Sequence, residues 1–117
     1  MDKALREEIF QMHAQFCGAL ADPSRILILY TLADGPLNVT ELAKTLELPQ
    51  PTVSRHLKVL KEREMVQAQR KGQSVIYSLG DVRIVEALDV LRAVMSAQLK
   101  YHGALAIDAN RSIESFN

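Results

Sequence analysis

The feature that most constrains this chain is a change in the period of its apolar residues. Up to Met65 they recur at helical spacing, over 66–78 they alternate, and from 81 onward the helical period returns. Helices that each bury one stripe, interrupted by a single hairpin, leave few architectures open to 117 residues. That length supports one compact core and is too short for two.

Leu5, Ile9, Met12, Phe16 and Leu20 predict a first amphipathic helix ending near Leu20. Asp22-Pro23 reads as an N-cap followed by proline at the first helical position. The stretch Ile26-Leu27-Ile28-Leu29-Tyr30 and Leu32 is apolar nearly all round, as in a short helix buried mid-domain, and Gly35-Pro36 stops it. Asn38, with Glu41 three residues later, has the form of a capping box and opens a third helix through Leu46. Leu48-Pro49-Gln50-Pro51 breaks that helix and starts a fourth, with Pro51 at an initial position. Val53, Leu57 and Leu60 share one face of the fourth helix; Arg55, Lys58 and Glu62 share the opposite face, with Thr52 and Ser54 on its flanks. Two such helices joined by a tight turn make a helix-turn-helix, whose second helix can enter a DNA major groove.

Val66–Arg70 reads as one strand, Lys71-Gly72 as the turn and Gln73–Ser78 as the returning strand. Gly80-Asp81 caps a last long helix with a main stripe of Ile84, Leu88, Leu91, Met95 and Leu99 and a second apolar arc of Ala87, Val90 and Val94. One arc can pack on the domain; the other needs a partner, and a second copy of the chain is the simplest. The expected organisation is one domain over 1–102 and a loosely ordered tail over 103–117.

Fourteen basic and fourteen acidic side chains cancel overall, which argues against nucleic acid until their distribution is read. Residues 1–50 carry net −3, residues 51–75 net +4 and residues 76–117 net −1. The central excess comes from Arg55, Lys58, Lys61, Arg63, Arg70 and Lys71, a local phosphate-binding surface inside an acidic frame. Cys17 is the single cysteine, so no internal disulfide framework can form and a reducing cytoplasm is the expected home. Neither a signal peptide nor a membrane-spanning apolar run is read in the sequence.

At this point three blocks become recognisable. Leu20-Ala21-Asp22-Pro23-Ser24-Arg25-Ile26-Leu27-Ile28-Leu29 resembles the opening of the ArsR/SmtB family of bacterial repressors. Gln50-Pro51-Thr52-Val53-Ser54-Arg55-His56-Leu57-Lys58-Val59-Leu60 is similar to that family's recognition helix, and Arg70-Lys71-Gly72-Gln73-Ser74-Val75-Ile76-Tyr77-Ser78-Leu79 to its wing. The resemblance implies a mainly α fold with a small β-hairpin, a winged helix-turn-helix with N- and C-terminal dimerisation helices. It further implies a homodimeric repressor on a palindromic double-stranded DNA operator, released by an inducer that these residues do not specify. The DNA-contacting set it suggests is Thr40, Gln50, Thr52, Ser54, Arg55, His56, Lys58, Arg70, Lys71, Gly72 and Gln73. Two positions depart from the family: Gln50 stands where a small hydroxyl cap is common, and Glu64 where glycine often precedes the first wing strand.

Chemistry sorts these residues. Arg55 and Lys58 can meet phosphates or base edges, and Arg70, Lys71 and Gly72 suit an adjacent minor groove. His56 falls at the edge of the apolar face, where a partly buried histidine that orients the helix is expected in preference to a base contact. The third helix, Asn38–Leu46, has no thiol, and 81–100 has no histidine, so the two places where the family holds sensor metals lack their ligands. Paired-cysteine sensing is excluded within one chain. His13 and Cys17, at helical i and i+4 with His102 as a distant third, are more simply an isolated histidine and a small hydrophobe. No metal site and no cofactor are expected. The alternative to a repressor is a winged-helix module for protein–protein contact, which would show exposed aromatics in place of the basic face. An enzyme is the remotest reading, since neither a catalytic triad nor a phosphate-cradling glycine loop is present.

Overall fold

The computed structural model describes the backbone of residues 1–115 and the side chains of residues 1–102. In chain order the elements are α1 (Lys3–Met12), a π turn (His13–Cys17), a 3₁₀ turn (Ala19–Ala21), α2 (Pro23–Ala33), β1 (Leu37–Asn38), α3 (Val39–Leu46), α4 (Gln50–Glu62), β2 (Val66–Lys71), β3 (Ser74–Leu79) and α5 (Arg83–Ser115). The chain divides into two compact units, Met1–Val82 and the residues from Arg83 onward.

In the first unit, local chemistry starts each helix. Asp22 Oδ1 accepts from the Ser24 N–H at 2.8 Å, with Pro23 at the first position of α2. The capping box is complete: the Glu41 N–H donates to Asn38 Oδ1 at 2.8 Å, and the Asn38 N–H donates to Glu41 Oε1 at 3.0 Å. Two helices then stop in the same way. Glu47 after α3 has φ 55° and Glu64 after α4 has φ 60°, both left-handed. The Leu48 N–H reaches back to the Ala43 carbonyl at 3.0 Å and the Met65 N–H to the Leu60 carbonyl at 2.9 Å, the six-to-one closure of a Schellman motif. Glycine is the residue this conformation favours, so Glu64 occupies a glycine position and still forms the turn.

The core is aliphatic. Ile28, Leu29 and Leu32 of α2, Leu42 of α3, Val53, Leu57 and Leu60 of α4, Met65 just before β2 and Val66 at its start are all buried. Through them α2 packs against α3, α4 and β3. The hairpin register pairs Val66 with Leu79 and Lys71 with Ser74, and β1 adds to the far side of β3 with Leu37 opposite Tyr77, giving the order β1-β3-β2.

Four details differ from the expectations. The hairpin turn is Gly72-Gln73, one residue later than Lys71-Gly72: Gly72 at φ 64° takes the first central position of a two-residue loop, and only that position requires positive φ in a type II′ turn. The first helix is not regular to Leu20, because the Gly18 N–H bonds the His13 carbonyl five residues back at 2.9 Å and widens the last turn. Leu27 is 51% exposed, so α2 is buried on one side and not all round. The two-residue strand β1 is too short to leave a periodic signal.

α5, taken by itself, has Val85 and Leu88 buried, whereas Val90, Leu91, Val94, Met95 and Leu99 are exposed. Val85 lies in neither of the arcs read from the sequence. The tail expected over 103–117 falls outside the residues whose side chains are described, and α5 itself is bounded at Ser115.

The close of α4 is testable. The Gly80 N–H donates to the Met65 carbonyl at 2.9 Å, and a Cβ at Gly80 would run into the Glu64 carbonyl oxygen with the Met65 carbonyl carbon at 3.2 Å. Gly80→Ala should therefore destabilise the protein by about 1–3 kcal/mol, since backbone must move. Glu64→Gly should stabilise it by up to about 1 kcal/mol by relieving the left-handed penalty, less the entropy glycine adds to the unfolded chain. Urea titrations of both variants would read the opposite signs.

Candidate nucleic-acid interface

α4 presents the site because its other face is committed. Val53, Leu57 and Leu60 are no more than 1% exposed, so the helical repeat turns Ser54, Arg55 and Lys58 to solvent, with Thr52 and His56 half-buried between the two faces. The Arg55 guanidinium approaches Thr52 Oγ1 one turn back at 3.5 Å, which keeps it along the helix surface.

The start of α4 is tied to the preceding helix. Pro49 is the N-cap and supplies no side-chain cap, so Gln50 is the first helical residue and not a cap as its family position suggested. Its Nε2 donates instead to Thr40 Oγ1 at 2.8 Å, joining two exposed side chains at the N-termini of α3 and α4. Thr40, Gln50, Ser54, Arg55 and Lys58 thus lie on exposed helix surface of the helix-turn-helix. At the hairpin tip, Arg70 and Lys71 end β2, Gly72 and Gln73 form the turn, and all four are exposed. Lys61 and Arg63 add exposed positive charge at the end of α4.

His56 behaves differently from its neighbours. Its side chain is 15% exposed, and Nε2 lies 4.0 Å from Asp22 Oδ2, the oxygen not engaged in capping α2. The Asp22 carboxyl is held below its ordinary value of 3.8, first by the Ser24 N–H and then by the charges of His56 and Arg25. Arg25 Nε donates to the Ala19 carbonyl at 2.6 Å and Nη2 to the Gly18 carbonyl at 3.4 Å, fixing the preceding turn against α2. The role of Asp22 toward α4 was invisible in the sequence, where it reads only as a cap; the two residues are far apart along the chain and no motif joins them.

His13 and Cys17 stand at the two ends of the π turn and are both exposed. His102 is on α5 with the Tyr101 ring edge-on at 5.8 Å. Among the described residues no three His, Cys, Asp or Glu side chains form a group that could hold a metal ion, and no helix is long and apolar enough to cross a membrane.

A helix-turn-helix followed by a hairpin with a basic tip is the architecture of the winged-helix regulators. Residues 22–68 match the family described as "Bacterial regulatory protein, arsR family". The chain is 45% identical over 71 residues to the HTH-type transcriptional regulator NmtR of Mycobacterium tuberculosis, covering 61% of this chain and 59% of NmtR. It is 40% identical over 90 residues to the repressor SmtB of the same species, covering 77% of this chain and 65% of SmtB. The chain therefore spans less than two thirds of either relative. The solution structure of the homodimeric winged helix-turn-helix DNA-binding domain Mb0332 from Mycobacterium bovis superposes with a TM-score of 0.73 at 24% identity, covering 86% of this chain and 93% of that one, a likeness of fold. The chain is also 34% identical over 85 residues to the uncharacterized HTH-type transcriptional regulator MJ1325 of Methanocaldococcus jannaschii, covering 72% of this chain and 96% of that protein. The chain belongs to the ArsR family of bacterial regulatory proteins.

The Asp22 junction predicts a pH dependence. A carboxyl whose folded pKa lies below its unfolded value contributes stability that is fully present above the unfolded pKa, near 3.8 here, and is lost as pH falls through the folded value. Asp22→Asn keeps a capping side chain but cannot titrate. Thermal melts from neutral pH to pH 3 should show a shallower acid loss for Asp22→Asn than for the wild type.

Proposed function

We propose that this chain is a repressor that binds a palindromic double-stranded DNA operator as a homodimer in the cytoplasm and leaves it when a signal biases the dimer. The observation that carries this reading is the two-faced α4: Val53, Leu57 and Leu60 buried, Arg55 and Lys58 exposed on the reverse. Arg55 and Lys58 then meet base edges and phosphates in the major groove, flanked by Ser54, Thr52 and the Gln50–Thr40 pair. Arg70, Lys71, Gly72 and Gln73 meet the backbone or the neighbouring minor groove. The working domain is 1–102, with 103–117 as an appended tail.

Dimerisation is supported by apolar surface that a single chain leaves in water. α1 exposes Leu5, Ile9, Phe10 and Met12, and α5 exposes Val90, Leu91, Val94, Met95 and Leu99. Two copies placed about one DNA turn (~34 Å) apart match a two-fold operator. The Mb0332 domain is described as homodimeric, in keeping with such an assembly. The signal acts elsewhere than at a thiol of α3 or a histidine of 81–100, since neither exists.

Selection from a random pool of DNA duplexes should recover a sequence with two-fold symmetry. Against that duplex, Arg55→Ala and Lys58→Ala should each lose about 1–3 kcal/mol of binding if the lost contact is to a base, and a phosphate contact should also lower the salt slope by about 1. Both variants should melt as the wild type does, because neither side chain fills the core. Unchanged affinity in both would favour a protein-binding module.

The interface has its own test. Val94→Asp places a charge in the second arc of α5 and should give a folded monomer by sedimentation and circular dichroism, with operator affinity sharply reduced. A folded dimer would put the interface elsewhere.

A further inference from the structure

Among the residues expected to contact DNA, His56 is one whose side chain turns toward another element of the domain. Its neighbours in the helix divide cleanly: Arg55 and Lys58 are exposed and Leu57 is buried. The imidazole takes a third course. It is only 15% exposed and turns toward the N-terminus of α2, where Nε2 sits 4.0 Å from Asp22 Oδ2. That distance exceeds a hydrogen bond and is within ion-pair reach of a protonated ring.

The two carboxylate oxygens of Asp22 divide their work: Oδ1 holds the Ser24 N–H at 2.8 Å and caps α2, and Oδ2 faces the imidazole. One residue beyond Ser24, Arg25 grips the carbonyls of Ala19 and Gly18. The short segment Asp22–Arg25 is thus fixed on one side to the turns that follow α1 and faces α4 on the other. A ring held in this corner cannot also reach a base edge, whereas it is well placed to set how α4 sits on α2.

We propose that His56 is a positioning residue that latches the recognition helix to the N-terminus of α2 through Asp22, leaving contact with bases to its exposed neighbours. This rests on the operator reading above for its effect on binding, but the latch itself exists in the free protein. Recognition residues work only when their supporting shell holds them in place, so loosening the latch weakens binding without changing what is read.

The probe is the duplex selected by the wild type, used with full-length protein. Asp22→Asn keeps the α2 cap and removes the charge facing the ring. His56→Ala removes the ring, and His56→Gln returns an N–H donor near the place of Nε2. His56→Ala and Asp22→Asn should each weaken binding by roughly two- to fivefold, the range of a partly exposed ion pair. Their combination should weaken it no more than either alone, and His56→Gln should recover most of the loss. The salt slope and the sequence selected by His56→Ala should match those of the wild type. In the free protein, the ring nitrogen NMR signals of His56 should move on Asp22→Asn. Additive losses, a relaxed base preference in His56→Ala, or an unmoved ring signal would each overturn the latch. Should His56→Ala fail to fold, the ring signal and Asp22→Asn binding decide alone. Should the wild type select no sequence, the operator reading fails and the ring signal still judges the latch.

Discussion

The burial of one face of α4 is the constraint from which both fold and site follow. Val53, Leu57 and Leu60 lose nearly all contact with water, and side chains of this kind each contribute about 1.5–3 kcal/mol when fully buried. An exposed charge on the opposite face contributes far less to stability, because surface ion pairs are worth little in water. The apolar residues therefore decide the rotation of the helix, and Arg55 and Lys58 go where that rotation sends them. The core and the charged face are set by opposite sides of the same helix, so the charged face can be altered without opening the core.

Helix ends do the second share of the work. α3 and α4 both stop at a left-handed glutamate, Glu47 and Glu64, each followed by an N–H that returns to the last turn. A left-handed non-glycine residue costs about 1–2 kcal/mol. Both are tolerated beside well-packed residues: Leu48 is half-buried, and Leu60 and Met65 are fully buried. The first closure sets the turn between the two helices of the motif. The second sends the chain directly from α4 into β2, and Gly80 lies against it so tightly that no side chain fits. The hairpin is thereby anchored at its base, with its basic tip at the far end.

What was legible in the sequence was whatever repeats or caps locally. The stripe of Val53, Leu57 and Leu60, the Asn38–Glu41 box and the Asp22-Pro23 start each declare themselves within a few residues, because the forces behind them act within a turn or two of helix. The strand β1 did not, since two residues carry no period and Leu37–Asn38 is a strand only because β3 is beside it. The π turn at 13–17 was hidden for a related reason: one widened turn keeps its apolar residues and merely shifts their angles. The turn falls at Gly72-Gln73, one residue later than the sequence alone suggests, because the sequence supplies the glycine but not the register. The candidate site divides along the same line. Exposure of Arg55 and Lys58 follows from periodicity and that of Arg70 and Lys71 from their place at the hairpin tip, whereas the Gln50–Thr40 bond and the His56–Asp22 approach exist only after the helices have packed.

The formal charge of zero is compatible with binding a polyanion once the range of electrostatics is considered. At physiological ionic strength exposed charges are screened beyond about 8 Å, so a phosphate at the face of α4 responds to Arg55, Lys58 and their neighbours and hardly at all to acids on a remote surface. Net charge is then the wrong quantity, and the local excess of +4 over residues 51–75 is the right one. That excess is modest. The affinity gained by neutralising phosphates rises with the number contacted, and a second copy doubles the number without adding charge to either chain. Under the proposed function, the apolar residues left exposed on α1 and α5 and the small basic surface on α4 are two parts of one design, the first supplying the surface through which the second is doubled.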